Sequence, residues 1–238
     1  MIFYTILFSL GDPYKNEYVY CGMIWLKSLF ASGSVRPGDR VAILCDPETR
    51  KRLSEINIFK APGVELVDVP RPKDCRDGMT LKYVFRPQID EVVVYADVDQ
   101  IFKKPFRLDG QLPPDTICVY PEGDITHTNY CGDYKLSGGP GVSAGIWAYR
   151  RGPTVDKFLE ECRHICSVSP KRFYTLDQPH FNAALAIVKP QIKLMNKNVI
   201  SFNGHNDLKE AAILNLCGDP GYGSSHLTKM LDMLLVLS

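Results

Sequence analysis

Four apolar runs in the first hundred residues are separated by three stretches of helical character. That alternation restricts the fold more than any other feature of the chain. The runs are Ile2 to Leu10, "DRVAILCD", "VELVDVP" and "EVVVYADVD". Between the first two, "EYVYCGMIWLKSLFASG" places Val19, Met23, Leu26 and Phe30 close to helical spacing, with Gly33 as a stop. "PETRKRLSEIN" opens with Pro and an acidic residue, both first-turn signals, and "TLKYVF" reads as a short helix. Strands that are apolar throughout, rather than alternating, are buried on both faces. The order β-α-β-α-β-α-β therefore predicts an α/β fold with a mostly parallel central sheet flanked by helices.

The second half is less regular. A long polar loop, "GDITHTNYCGDYKLSGGPG", runs from Gly123 to Gly141 and precedes a strand, "VSAGIWAYR". "PTVDKFLEECRHICSV" is helical, a further helix follows Leu176, "NVISFNG" reads as a strand, and "MLDMLLVLS" as a docked helix. No repeat, low-complexity tract or linker interrupts the chain, so one domain over 1–238 is expected. Lys and Arg total 28 against 27 Asp and Glu, which gives no electrostatic case for nucleic acid or an anionic membrane as partner. No apolar run approaches the ~18 residues that suggest a membrane span. "MIFYTILFSL" lacks the basic start and small-residue cleavage site of a signal peptide, so it is read as the first strand. Eight scattered cysteines without C-x-x-C argue against a zinc cluster and, with no N-x-[ST] sequon, for a reducing, cytoplasmic setting.

The chemistry centres on "VVVYADVDQIF", where an apolar strand ends in Asp97 and Asp99. Parallel sheets bind ligands at the carboxyl ends of their strands. The pair can be turn residues bonding local backbone. It can be a phosphatase nucleophile and acid, but the haloacid-dehalogenase pattern D-x-D-x-[TV] has Ile101 at its fifth position here, and closes the fourth strand rather than the first. Or the two carboxylates hold a hard divalent ion that also binds a diphosphate. "GGPGVSA" is not a dinucleotide fingerprint, since a polar loop precedes it and a strand follows, and no P-loop motif is present.

"YADVDQIF" resembles the Y-L-D-A-D-x-[IV] signature of metal-dependent nucleotide-sugar glycosyltransferases with the GT-A fold. Four more stretches match in order: "ILFSLGDPYKNEYVYCGMIWLKSL", "TLKYVF", "GVSAGIWAYRRG" and "LDQPHFNAAL". Together they span Ile2 to Leu185 and are similar to glycosyltransferase family 8, the glycogenin-like enzymes. The resemblance implies transfer of a sugar from a UDP-sugar, UDP-glucose or UDP-galactose, to a hydroxyl of a carbohydrate or glycan acceptor, with retention. It implies Mn²⁺ or Mg²⁺ on Asp97 and Asp99, with Val98 between them, and Lys82 on the donor diphosphate. Ser9, Leu10, Gly11 and Tyr18 would line the base and ribose pocket, Tyr14 competing with Tyr18 for the aromatic role. Ser143 and Gly145 would border the donor sugar, and Asp177 and Gln178 the reacting carbon. Residues 1–102 would be the nucleotide-binding half and 103–238 the acceptor-side half. Asp124, Asp133 and Tyr134 of the long loop are further sugar-binding candidates.

Two departures stand out. Ser143 occupies a position where the family has Asn, and the late H-x-x-G-x-x-K stretch is matched only by Asn215, Gly218 and Gly221. His205, then His226, are the candidates for the imidazole so displaced. The residues alone also allow plainer roles: Asp177 as the cap of a helix starting at Gln178, and Lys82 as a solvated helix lysine. A non-catalytic sugar-nucleotide or carbohydrate-binding module is the remaining alternative.

Overall fold

In the computed structural model, strands β1 (Ile2–Leu7), β2 (Arg40–Cys45), β3 (Val64–Asp68) and β4 (Val92–Ala96) lie parallel, as the alternation of strand and helix stretches predicts. The structure describes residues 1–88, 90–123, 130–131, 134–135, 141–168, 177–202, 209–216 and 225–237. Beyond β4 the sheet is extended by β6 (Thr116–Gly123), β9 (Gly141–Arg150) and β10 (Gln191–Leu194), giving the order β10-β6-β9-β4-β1-β2-β3. Only β9 runs against its neighbours, so the sheet is mostly parallel. A smaller sheet pairs β5 (Gln100–Phe102) with β12 (Ile213–Asn215) and β11 (Ile200–Phe202). Within the long loop, β7 (Tyr130–Cys131) and β8 (Tyr134–Lys135) form a short hairpin.

Strand parity divides the core. Phe3, Leu7, Val41, Ile43, Val94 and Ala96 point to one face, where α1 (Glu17–Ala31) contributes Trp25 and Leu26 and α6 (His226–Leu237) contributes Met230. Ile2, Tyr4, Ala42, Leu44, Val93 and Tyr95 point to the other, under α4 (Pro153–Val168) and α5 (Gln178–Val188). Each fully buried Leu, Val or Phe adds roughly 1.5–3 kcal/mol, so both faces of these strands fix the register. Remaining helices are α2 (Pro47–Ser54), started by Asp46 as N-cap, and α3 (Cys75–Thr80), started by Asp74. The arrangement is an α/β fold of GT-A and Rossmann-like architecture.

Several element bounds differ from the sequence expectation. β1 stops at Leu7 rather than Leu10, because the Ser9 N–H turns out of the ladder to the Asp46 carboxylate at 3.4 Å. "TLKYVF" divides: α3 begins upstream at Cys75, and Leu81–Tyr83 is a single 3-10 turn. "NVISFNG" likewise starts as a 3-10 turn, Lys197–Val199, before β11. Among the described residues no helix is long and apolar enough to cross a membrane, and Cys21, Cys45, Cys75, Cys118, Cys162 and Cys166 are free.

One ion pair ties the start of β2 to the segment after β5. Arg107 Nη1 lies 2.5 Å from Asp39 Oδ2, and the Arg36 backbone N–H donates to the same oxygen at 2.8 Å. Burial pushes the Asp39 carboxyl up, but the Arg107 guanidinium and the Arg36 N–H outweigh it and hold the group at about 2. A carboxyl held below its ordinary value stabilises the fold at neutral pH and loses that contribution as pH falls toward 2. The loss should be on the order of 1–2 kcal/mol after solvent screening. Urea unfolding from pH 5 to pH 2 should show this slope, and Asp39→Asn should flatten it; an unchanged slope in the variant would discount the pair.

Candidate functional site

The carboxyl ends of β1 and β4 lie together, and a cavity of about 500 Å³ opens above them. That is within the roughly 300–1,000 Å³ of small-ligand sites. Its wall is built from the end of β1 and the turn after it, including Phe8, Leu10 and Gly11, from Tyr18 on α1, and from Cys75 and Met79 on α3. Its floor carries Lys82, Asp97, Asp99 and Asp177, with His226 at the start of α6. Asn16 shapes the wall: its side chain caps α1 by accepting from Tyr18 N–H, and its amide donates to Phe8 O at 2.9 Å.

The two aspartates of the D-x-D string have different surroundings. Asp97 continues the parity of Val93 and Tyr95, so it faces the α4–α5 side. There the Tyr95 hydroxyl donates to Asp97 Oδ1, and Lys82 Nζ lies 3.3 Å from the same oxygen. The Asp97 N–H donates to Gly145 O at 2.8 Å, which prolongs the β4–β9 pairing beyond Ala96. A Cβ on Gly145 would sit 2.8 Å from Asp97 Oδ2, so glycine permits this close approach. Asp99 follows in the turn into β5 and faces α6; Leu216 N–H donates to its backbone carbonyl at 3.0 Å.

Lys82 is 3% exposed, which removes the reading of a solvated helix lysine. Its ammonium is 2.8 Å from Asp177 Oδ2, 3.3 Å from Asp97 Oδ1 and 3.3 Å from the Ala144 carbonyl, and it lies over the Tyr95 ring. An ammonium has three donors, so these three oxygens occupy all of them. Burial works against the charge, but Asp177 and then Asp97 outweigh it and raise the Lys82 pKa above the ordinary lysine value. Asp177 precedes α5 at the N-cap position, yet its side chain makes no capping bond. It is held instead by Lys82 and by the Tyr83 hydroxyl at 3.1 Å. Gln178 turns toward β9 and β6: Ala144 N–H donates to its Oε1 at 3.1 Å, and its Nε2 donates to Glu122 at 2.7 Å. Of the Asp177–Gln178 pair, Asp177 lines the cavity and Gln178 braces the strand behind it.

Burial raises the carboxyls of both Asp97 and Asp99 above the ordinary range, and Lys82 pulls Asp97 back only in part. Among the described residues, Asp99 Oδ1, Gln100 Oε1 and Asn215 Oδ1 are buried oxygens that meet no hydrogen-bond donor. Gln100 and Asn215 are register partners across β5 and β12. His226 approaches from α6, its Nδ1 2.8 Å from the Tyr18 hydroxyl and its Nε2 3.9 Å from Asp99 Oδ2, too far for a hydrogen bond. Burial lowers the imidazole pKa, which favours the neutral, ligating form. Among the described residues no group of three or more His, Cys, Asp or Glu is gathered closely enough to hold a metal ion. The residues present nevertheless suit a hard divalent cation. Four aspartates and two lysines line the cavity, a net −2 with His226 neutral, and an orphaned carboxylate oxygen sits at its floor. Mg²⁺-type ions need only one or two protein carboxylates when phosphates and water complete the shell.

Leu10, Gly11 and Tyr18 line the cavity with Ser9 and Val98. Tyr14 turns away, its hydroxyl on Glu55 at 2.7 Å and its ring under Arg52, so Tyr18 is the aromatic wall. Ser143 is buried on β9, and its hydroxyl accepts from Gly145 N–H at 3.2 Å. His205, Gly218, Gly221, Asp124 and Asp133 lie outside the described residues, and Tyr134 falls on β8. Sequence reasoning did not single out Tyr83, Tyr95, Lys15 or Glu122. Tyr95 was legible from parity with Asp97, whereas Glu122 sits on β6, a strand the sequence reading did not contain.

No known family model matches the chain, and no curated protein sequence matches it significantly. Solved structures do. The apo structure of the bifunctional glycosyltransferase WbbM superposes with a TM-score of 0.63 at 13% identity, over 91% of this chain and 45% of that one. The galactosyltransferase LgtC, in complex with donor and acceptor sugar analogs, superposes with a TM-score of 0.59 at 13% identity, over 98% of this chain and 96% of that one. At such identity the likeness establishes the fold, which is GT-A-like.

Proposed function

We propose that this chain is a metal-dependent glycosyltransferase that moves a sugar from a UDP-sugar, UDP-glucose or UDP-galactose, to a hydroxyl of a carbohydrate or glycan acceptor. The observation that carries this reading is the buried Asp97–Lys82–Asp177 arrangement beside Asp99 at the carboxyl edge of the sheet. A helix-capping aspartate would spend its oxygens on backbone N–H groups; Asp177 instead gives Oδ2 to Lys82 and Tyr83 and lines the cavity. The likeness to two glycosyltransferase structures supports the same direction.

In this reading Mn²⁺ or Mg²⁺, held by Asp99 and Asp97 with His226 as the nearest imidazole, would offset charge on the departing diphosphate. Leu10, Gly11 and Tyr18 hold the base and ribose against the end of β1. Asp177, oriented by Lys82 and Tyr83, stabilises positive charge developing at the sugar carbon, which suits retention. Gln178, through Glu122 and Ala144, keeps the start of β9 in place behind it. Residues 1–102 supply the nucleotide wall and 103–238 the Asp177 side, as one working unit.

Asp177→Asn tests this directly, because it keeps the shape and removes the charge. UDP-sugar turnover should fall about 10²–10³-fold while UDP affinity stays within about twofold, the pattern of an interaction made only in the transition state. Wild-type turnover in the variant would refute the role. UDP binding with Mn²⁺, but neither hydrolysis nor transfer for any UDP-sugar, would identify a non-catalytic binding module instead.

A further inference from the structure

Among the six charged side chains of the cavity lining, four are carboxylates and two are lysines. Lys82 has no donor to offer, since all three are taken by Asp177, Asp97 and the Ala144 carbonyl. Its charge is likewise committed, being shared between two carboxylates at the floor. A phosphate entering this cavity therefore meets a lining of net −2 in which the deeper cation is already occupied. Lys15 is the other cation, and its circumstances are the opposite. It is exposed on the rim, at the end of the 3-10 turn Pro13–Lys15, and its side chain makes no hydrogen bond or ion pair with the described residues. Its backbone is fixed: Asp12 caps the turn, Lys15 N–H donates to Asp12 O at 3.1 Å, and Asn16 next to it caps α1 and holds Phe8 O. Lys15 lines the cavity together with Asp12 and Tyr18, so a flexible four-carbon stem on a fixed backbone can bring its ammonium to a ligand there.

We propose that Lys15 is the side chain that binds the phosphates of the donor, and that the cavity accepts a nucleoside diphosphate rather than an uncharged nucleoside because of it. The proposal rests on the nucleotide-sugar reading of this cavity. It assigns Lys82 to positioning Asp177 and Asp97, and leaves phosphate recognition to Lys15 together with a divalent cation. An ammonium acts on phosphate as a point charge, so arginine at the same place should serve and an isosteric apolar residue should not.

Calorimetric titration of the full chain with Mn²⁺ and UDP, and separately with uridine, tests it. Lys15→Met should weaken UDP about 5- to 10-fold, leave uridine affinity and the melting temperature unchanged, and flatten the decline of UDP affinity with added salt. Lys15→Arg should restore UDP binding. The proposal is overturned if Lys15→Met binds UDP as tightly as the wild type, or if it loses uridine and UDP equally. A wild-type chain that binds no UDP with Mn²⁺ would overturn the nucleotide reading itself, an outcome distinct from either of these.

Discussion

Lys82→Met should both unfold the protein more easily and abolish turnover. The substitution keeps most of the stem volume and removes the ammonium from between Asp97 and Asp177, at a position only 3% exposed. Two carboxylates are then left without their shared counter-charge, and breaking a buried pair in this way costs about 3–5 kcal/mol. For a chain of this size that corresponds to a melting temperature lower by roughly 6–20 °C. Turnover should fall about 10³-fold or more, because Asp177 loses the contact that orients it. A second substitution separates the two effects. In Lys82→Met with Asp177→Asn, one buried charge is gone, so most of the lost stability should return while activity does not. Differential scanning fluorimetry and UDP-sugar hydrolysis read both. A Lys82→Met chain that melts like the wild type would show that this lysine is not the buried hub described above.

Asp99→Ala should act in opposite directions on stability and on binding. Asp99 Oδ1 is buried and meets no donor among the described residues, and burial already raises the carboxyl above its ordinary range. A carboxylate kept in such a place costs folding free energy that a ligand repays. Without metal, then, the variant should be no less stable than the wild type, and more stable by up to about 1 kcal/mol. With Mn²⁺ the order should reverse. The wild type should gain melting temperature from Mn²⁺ plus UDP, since a ligand bound only by the folded state stabilises it, and the variant should gain little. UDP affinity in the presence of Mn²⁺ should fall about 100-fold, and affinity without metal should change by less than about threefold, because the lost carboxylate is repulsive to phosphate when no cation covers it. Thermal shift with and without Mn²⁺ decides this. Equal metal-dependent shifts in both chains would remove Asp99 from the binding site.

Much of this site is visible in local sequence. A short, valine-rich apolar run between helical stretches reads as a strand buried on both faces, which puts the D-x-D string at its end on the carboxyl edge of the sheet. The helix starts at Asn16, Asp46 and Gln178 carry their signals within a few residues, and the structure agrees with them. β6 and β10 had no such signal. β6 carries Pro121 and runs straight into the long loop, and β10 is a four-residue edge strand with most of its surface exposed.

What the sequence determined by itself is the order of elements and hence the place of Asp97 and Asp99 at the binding edge, because periodicity and turn chemistry act over a few residues. Side-chain partnerships depended on tertiary structure. Tyr14 and Tyr18 are equivalent in the string, and only the packing of the first 3-10 turn on α2 sends Tyr14 to Glu55 and leaves Tyr18 on the cavity. Asp177 has the sequence of a cap, and only the approach of Lys82, 95 residues earlier in the chain, draws it away. His226 meets Tyr18 across 208 residues. Such contacts are set by how helices pack on opposite faces of a sheet, where burial and charge pairing among distant segments outweigh the local preference of any one of them.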